Sequence, residues 1–362
     1  MRLYVIAGEA SGDLHGSNLV RELKRLNSNL EIRGWGGDLM QKEGVDLRKH
    51  YRDLAFMGFV EVVKNLRAIL RNFDFCKKDI LKFKPDAIVL IDYPGFNLRI
   101  AKWAKKQGIK VIYYIAPQVW AWHKSRVKQM RKNIDKLLII LPFEIDFFAK
   151  HSIEAEFIGH PLLDAISRNT DPAYISESRK PVIAILPGSR KQEIQTILPL
   201  QLSVIPHFSD YEFVIAGTEQ HRDLYAEIIG NQDVKLIFNQ TYSLLRSAKA
   251  ALVKSGTSTL ETALFEVPEV VCYKGNPISY IIAKSVIDIK YIAMVNLIMD
   301  KPVVTELIQN NLNTKNLIAE LSKCLSSPHR ETQIADYKLL KEKLTETNAS
   351  LRAAQAILEF LK

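Results

Sequence analysis

The stretch IDYPGFN at 91–97 closes an apolar run with Asp92, the place where α/β enzymes set catalytic groups at the carboxyl ends of their strands. A carboxylate there suits general-base work, taking the proton of a hydroxyl as it attacks. Capping the helix that starts near Asn97 is the plainer use, which the intervening Pro94 makes less natural. The opening stretch AGEASGDLHG, residues 7–16, adds Glu9 and Asp13 beside Ser11. These carboxylates are expected to reach the same site as Asp92, where either would share its work. Gly8, Gly12 and Gly16 stand in G-x3-G-x3-G rather than G-x-G-x-x-G. Carboxylates also occupy positions where a dinucleotide fingerprint needs bare backbone facing a pyrophosphate, so another ligand is expected at this loop. APQVWAWHKSR at 116–126 follows a further strand end and groups Trp120, Trp122 and His123 with Lys124 and Arg126. Such rings and cations stack on a sugar and bind a phosphate, although one tryptophan could equally serve the core.

A second set of residues has the chemistry of anion binding. In LPGSRKQEI, 186–194, Gly188 permits a tight turn, Ser189 caps a helix and Arg190 offers a guanidinium fork to phosphate oxygens. In KSGTSTLET, 254–262, Ser255, Gly256 and Thr257 again follow a strand and open a helix, whose free N–H groups favour an anion. Glu261 lies one turn further on, placed to accept both hydroxyls of a ribose unless it is simply a solvated helix residue. Two anion loops and a ribose acceptor, without G-x-x-x-x-G-K-[ST] or a D-x-D pair, point to a nucleotide diphosphate held without metal. No histidine or cysteine has partners at metal-ligand spacing, and Cys76, Cys272 and Cys324 suggest neither a disulfide framework nor a zinc site.

Positioning these residues is the task of an alternating pattern. Short apolar runs, LYVIA, AIVLID, VIYYIA, LLIIL and EFIG, alternate with longer amphipathic ones up to residue 160, as buried parallel strands with crossover helices do. After the polar SRNTDPAYISESRK the rhythm restarts with VIAIL, FVIAG, VKLIF, AALVK and EVVCY. Two Rossmann-like doubly wound α/β domains are therefore expected, 1–165 and 180–330, facing a cleft, with helices at 331–362 packing back on the first domain or swapping between copies in a homodimer.

The chain of 362 residues has a formal net charge of +10, which calls for an anionic substrate or membrane surface if it is more than a solvated basic face. No nucleic-acid-binding signature is present. The strand pattern starts at once, so no signal peptide is expected, and no run is long enough to span a bilayer; the three scattered cysteines fit a reducing cytoplasm. A stripe at 59–73 sets Phe59, Val62, Val63, Leu66, Ile69, Leu70 and Phe73 opposite Lys64, Arg67 and Arg71, an interfacial pattern as well as a core one.

The motifs AGEASGD, IDYPGFN, PQVWAW, LPFE, FIGHP, LPGSR, SGTSTLE and VNLI, in that order and spanning nearly the whole chain, resemble those of lipid-A-disaccharide synthases, bacterial glycosyltransferases of the GT-B fold. The resemblance implies transfer of 2,3-diacylglucosamine from its UDP ester to the 6-hydroxyl of 2,3-diacylglucosamine 1-phosphate (lipid X), with release of UDP and no cofactor. It implies Asp92 as base, Glu9 as its essential neighbour, and Arg190, the SGTSTLE loop and Asn296 as holders of UDP. The 59–73 stripe would then dock on the cytoplasmic face of the inner membrane. Where the family pattern often has an acidic residue this chain has Gly95, which leaves position 95 without an assigned role. Other UDP-sugar enzymes of the same fold and a non-catalytic nucleotide-sugar-binding protein are the rival readings. The first loop lacks the GGTGGH-like spacing expected of one such enzyme, and a pure binding module has no use for Asp92.

Overall fold

The computed structural model describes residues 1–54, 66–120, 124–276, 280, 290–344 and 348–362. Two compact units emerge, Met1–Asp164 with Glu346–Lys362, and Ala165–Thr345.

The first unit is built on a parallel sheet in the order β3-β2-β1-β4-β5-β6-β7. Its strands are β1 (Arg2–Ala7), β2 (Glu31–Gly36), β3 (Asp46–His50), β4 (Ala87–Ile91), β5 (Lys110–Tyr114), β6 (Lys136–Ile139) and β7 (Ala155–Phe157). Every residue of β4 is buried, which is why AIVLI is an unbroken apolar run: helices cover both faces of the sheet. On one face lie Phe73, Cys76, Ile80 and Phe83 of the helix Leu66–Phe83, together with Leu98 and Ile100 of the helix Pro94–Lys106. On the other lie Leu19, Val20 and Leu23 of α1 (Ala10–Leu26) against Ala353, Ala354 and Ile357 of the last helix, Ala349–Leu361.

The second unit repeats the design in the order β10-β9-β8-β11-β12-β13. The strands are β8 (Val182–Leu186), β9 (Glu212–Gly217), β10 (Lys235–Phe238), β11 (Ala248–Lys254), β12 (Glu269–Tyr273) and β13 (Thr305–Ile308). Both sheets thus follow the doubly wound order that reverses direction once, between β1 and β4 and between β8 and β11.

Three strands escape the sequence pattern. β2, EIRGWG, carries two glycines; β3, DLRKH, is a polar edge strand; β13, TELI, is a short one. The expected tail at 331–362 also divides. The helix His329–Lys343 buries Tyr337 and Leu340 and belongs to the second unit, while Ala349–Leu361 alone joins the first. The polar stretch between the two expected domains is tied down as well: the Tyr174 N–H donates to the Ser243 carbonyl at 2.9 Å, and its hydroxyl donates to Glu212 at 3.1 Å.

Of the interfacial stripe, Phe59, Val62, Val63 and Lys64 lie outside the described residues, as do the side chains of Leu66, Arg67 and Ile69. Leu70 is 55% exposed. Phe73 is corrected: it is 7% exposed and its ring stacks on Phe96 at 4.3 Å, so it faces the core and no membrane. Among the described residues no helix is long and apolar enough to cross a membrane.

Candidate active site

The loops after β1 and β4 flank the point where the first sheet reverses its winding, and there Glu9 stands near enough to Asp92 for its charge to act on it. Asp92 and Tyr93 hold φ of 44° and 47°. Two consecutive side-chain-bearing residues in the left-handed region cost roughly 1–3 kcal/mol each, a strain that surrounding bonds must offset. They do so through the Asp92 carbonyl, which accepts the Tyr113 hydroxyl at 2.6 Å and the Asn97 amide at 2.8 Å. Asn97 also donates to the Ile91 carbonyl at 3.1 Å. Neither residue stands out in sequence as part of the site, since their bonds go to backbone.

The Asp92 carboxyl is pushed up to about 6, first by burial and then by the negative charge of Glu9, against the opposing Tyr93 N–H. Glu9 itself is exposed, at the extended residue that precedes α1. Gly8 owes its place to packing: a Cβ there would stand 2.3 Å from the Tyr93 ring. The loop glycine thus admits the residue beside Asp92 rather than a pyrophosphate. Ser11 is exposed in the first turn of α1. Position 95 is open, with nothing within 4 Å of a Cβ built there. His15 and His160 are driven down to about 4 and about 3, chiefly by burial, which leaves both rings neutral at pH 7.

Asp13, expected beside the substrate, is instead taken up by backbone donors. It is 3% exposed, and its oxygens accept the backbone N–H groups of Gly37 at 2.8 Å, Leu39 at 3.1 Å and Met40 at 3.0 Å, capping the short helix Asp38–Lys42. Trp120 is half-buried; its indole N–H donates to Glu144 at 3.1 Å and its ring meets Phe143 edge-on at 5.1 Å. Trp122 and His123 lie outside the described residues.

In the second unit a cavity of about 510 Å³ opens where β8, β9 and β11 end. Gly188, Ser189 and Arg190 form one wall, and Gly256, Thr257 and Glu261 another. Gly188 has φ 102°, the left-handed turn that leads into the helix Lys191–Leu202. The second wall opens the helix Thr257–Leu264, so two helix N-termini converge on one space. Glu261 accepts the Tyr242 hydroxyl at 2.8 Å; burial raises its carboxyl while that bond lowers it.

Two residues expected here lie elsewhere. Ser255 is 9% exposed and does not line the cavity; its N–H continues the sheet ladder to the Cys272 carbonyl at 2.9 Å. Asn296 is 1% exposed and its side chain is hydrogen-bonded through both its nitrogen and its oxygen. Its amide donates to the Val304 carbonyl and to Glu306, and its oxygen accepts the Val304 N–H, each at 2.9 Å. It buttresses the helix Met294–Met299 instead of lining the pocket. Conversely, Glu193, Thr218, Tyr242 and Lys254 also line the cavity. A glutamate in a first helical turn and a lysine at a strand end carry no signal of their own.

A family profile described as lipid-A-disaccharide synthetase matches residues 3–360. The chain is 38% identical to the lipid-A-disaccharide synthase of Syntrophus aciditrophicus (strain SB), over 99% of this chain and 97% of that protein. It is 35% identical to the enzyme of the same name from Geobacter sulfurreducens, again over 99% and 97%. Among solved structures, UDP-GlcNAc 2-epimerase from Neisseria meningitidis bound to UDP-GlcNAc superposes with a TM-score of 0.69 at 14% identity, covering 99% of this chain and 100% of that one. The glycosyltransferase of kitacinnamycin does so with 0.72 at 14% identity, covering 99% and 98%. At such identities the likeness is one of fold, the GT-B-like pair of doubly wound units.

Proposed function

The chain belongs to the lipid-A-disaccharide synthase family and has that glycosyltransferase activity in lipid A biosynthesis; from this premise we propose how its residues divide the work. The donor is UDP-2,3-diacylglucosamine and the acceptor is lipid X. Asp92 takes the proton of the acceptor 6-hydroxyl as that oxygen attacks the anomeric carbon. The new C1–O6 bond forms on the face opposite the breaking C1–O bond, the configuration inverts, and the electron pair leaves with UDP. Positioning of the two reactants and stabilisation of the departing charge are the large terms in such a displacement.

The observation that carries this reading is the Asp92 carboxyl itself, poised at about 6 at the winding reversal of the first sheet. A base of that strength is largely ionised at neutral pH and still accepts a proton in the transition state. Gly188, Ser189, Arg190, Gly256 and Thr257 would receive the diphosphate and Glu261 the ribose, in keeping with the cavity they line.

The test is incubation of purified protein with both lipid substrates, followed by analysis for UDP and an acylated disaccharide phosphate. Formation of both, and their loss in Asp92→Asn with UDP binding preserved, is the expected result. Normal turnover by Asp92→Asn would remove the assigned base.

We also propose peripheral docking on an anionic membrane surface, for which exposed Leu70 and the basic Lys64, Arg67 and Arg71 argue. Reversing the three charges should release the protein from anionic vesicles, and unchanged co-sedimentation would sink the idea.

A further inference from the structure

The cavity built from two anion loops also contains an anion of its own. Glu193 stands in the first turn of the helix Lys191–Leu202 and lines the cavity between Arg190 and Lys254. One carboxylate oxygen lies 2.8 Å from the Lys254 ammonium and 4.0 Å from the Arg190 guanidinium. The other accepts the Arg190 backbone N–H at 3.4 Å and comes within 2.5 Å of where a Cβ on Gly188 would stand. The ammonium in turn lies 3.7 Å from a Cβ built on Gly256, so it spans the space between the two loops.

Helix capping alone does not account for this carboxylate. A glutamate at the third helical position ordinarily reaches back to the backbone N–H that opens the helix. Here that bond is the longer one, and the tighter partner is the lysine that ends β11. Both side chains are about one-fifth exposed, 21% for Lys254 and 19% for Glu193, so the pair is screened only in part.

We infer that Glu193 acts as a counter-charge inside the donor pocket, competing with the diphosphate for Lys254 and setting how tightly UDP is held. The inference rests on the reading of this cavity as the UDP site. A pocket with two cationic side chains and two helix N-termini holds a nucleoside diphosphate in substrate and product alike. Tight binding of that kind slows release of the product without speeding transfer. A fixed carboxylate on the same lysine weakens the grip on UDP.

Isothermal titration of UDP into the full chain tests this. Wild type is expected to bind, and Glu193→Gln to bind about threefold to tenfold tighter, the range for an ion pair of this exposure. Product inhibition by UDP in the transfer assay should deepen by a similar factor, a readout that loss of a helix cap would not move in this direction. Glu193→Asp withdraws the charge by a methylene and should shift affinity the same way by less, which keeps the test open if the glutamine variant folds poorly. In a Lys254→Met background the Glu193→Gln gain should largely vanish. Equal or weaker UDP binding by both Glu193 variants, with melting temperatures near wild type, would overturn the inference alone. Absence of UDP binding by the wild type would overturn the donor-site reading and the inference with it.

Discussion

At the scale of single residues, three carboxylates have three different environments. Asp92 was legible because a charged residue ending a wholly apolar strand has few structural excuses. Asp13 and Glu9 were not distinguishable, since the N–H groups that claim Asp13 come from residues 37, 39 and 40, far along the chain. Replacing Asp13 by Ala should therefore cost stability, about 1–3 kcal/mol for its orphaned donors, with kcat falling only as far as the folded fraction does. Chemical denaturation beside kinetics would separate the two. Asp92 gives the opposite pattern. With its carboxyl at about 6, the transfer rate should rise with pH through about 6 and level off above it, and Asp92→Asn should lose about 10²–10⁴-fold in kcat. Because the charge of Glu9 helps to raise Asp92, Glu9→Gln should move that rise to lower pH. A pH-rate profile left in place by Glu9→Gln would mean that the two carboxylates are not coupled during turnover.

At the scale of elements, the winding reversal places both sites, and its loops were visible as motifs, whereas the contacts that fix them were not. LPFE shows why. Glu144 looks like a helix-opening acid, yet it is 1% exposed and accepts the Trp120 indole N–H at 3.1 Å and the Leu141 N–H at 3.2 Å. It therefore ties the loop after β5 to the helix Glu144–Ala149. Burial pushes its carboxyl up to about 8, above the ordinary 4.5, against the opposing bonds from Trp120, Leu141 and Ile140. Between those values the folded chain keeps a proton that the unfolded chain releases, so stability should fall as pH rises from about 5 to about 8. Glu144→Gln, which mimics the protonated acid, should flatten the fall in melting temperature across that window. Glu144→Ala should leave the indole without its partner and shift the Trp120 emission. An equally steep profile in Glu144→Gln would locate the titrating group elsewhere.

At the scale of the whole molecule, the restart of the strand rhythm after residue 180 made two doubly wound units legible, but the destination of the last helices was not. An amphipathic helix states that it has an apolar face and gives no address for it. The helix His329–Lys343 is claimed by the second unit: Lys341 pairs with Glu266, and Gln333 donates to the Glu269 carbonyl at 3.3 Å. Ala349–Leu361 is claimed by the first, because Ala353 and Ala354 let it pack closely on α1 and because Asp164 accepts the N–H of Asn348 at 2.6 Å and of Ser350 at 3.4 Å. Removing residues 346–362 should therefore injure the unit most distant in sequence. The truncation uncovers Leu19, Val20 and Leu23 and removes two donors from Asp164, the N–H groups of Asn348 and Ser350. At about 1.5–3 kcal/mol for each large aliphatic side chain returned to water, that takes a large share of the roughly 5–15 kcal/mol that holds a domain together. Hydrogen exchange should then lose protection in β1 and α1 while β8 and β11 keep theirs. Transfer should be abolished and UDP binding retained. Full protection of β1 in the truncated chain would show that the first sheet needs no cover from the carboxyl terminus.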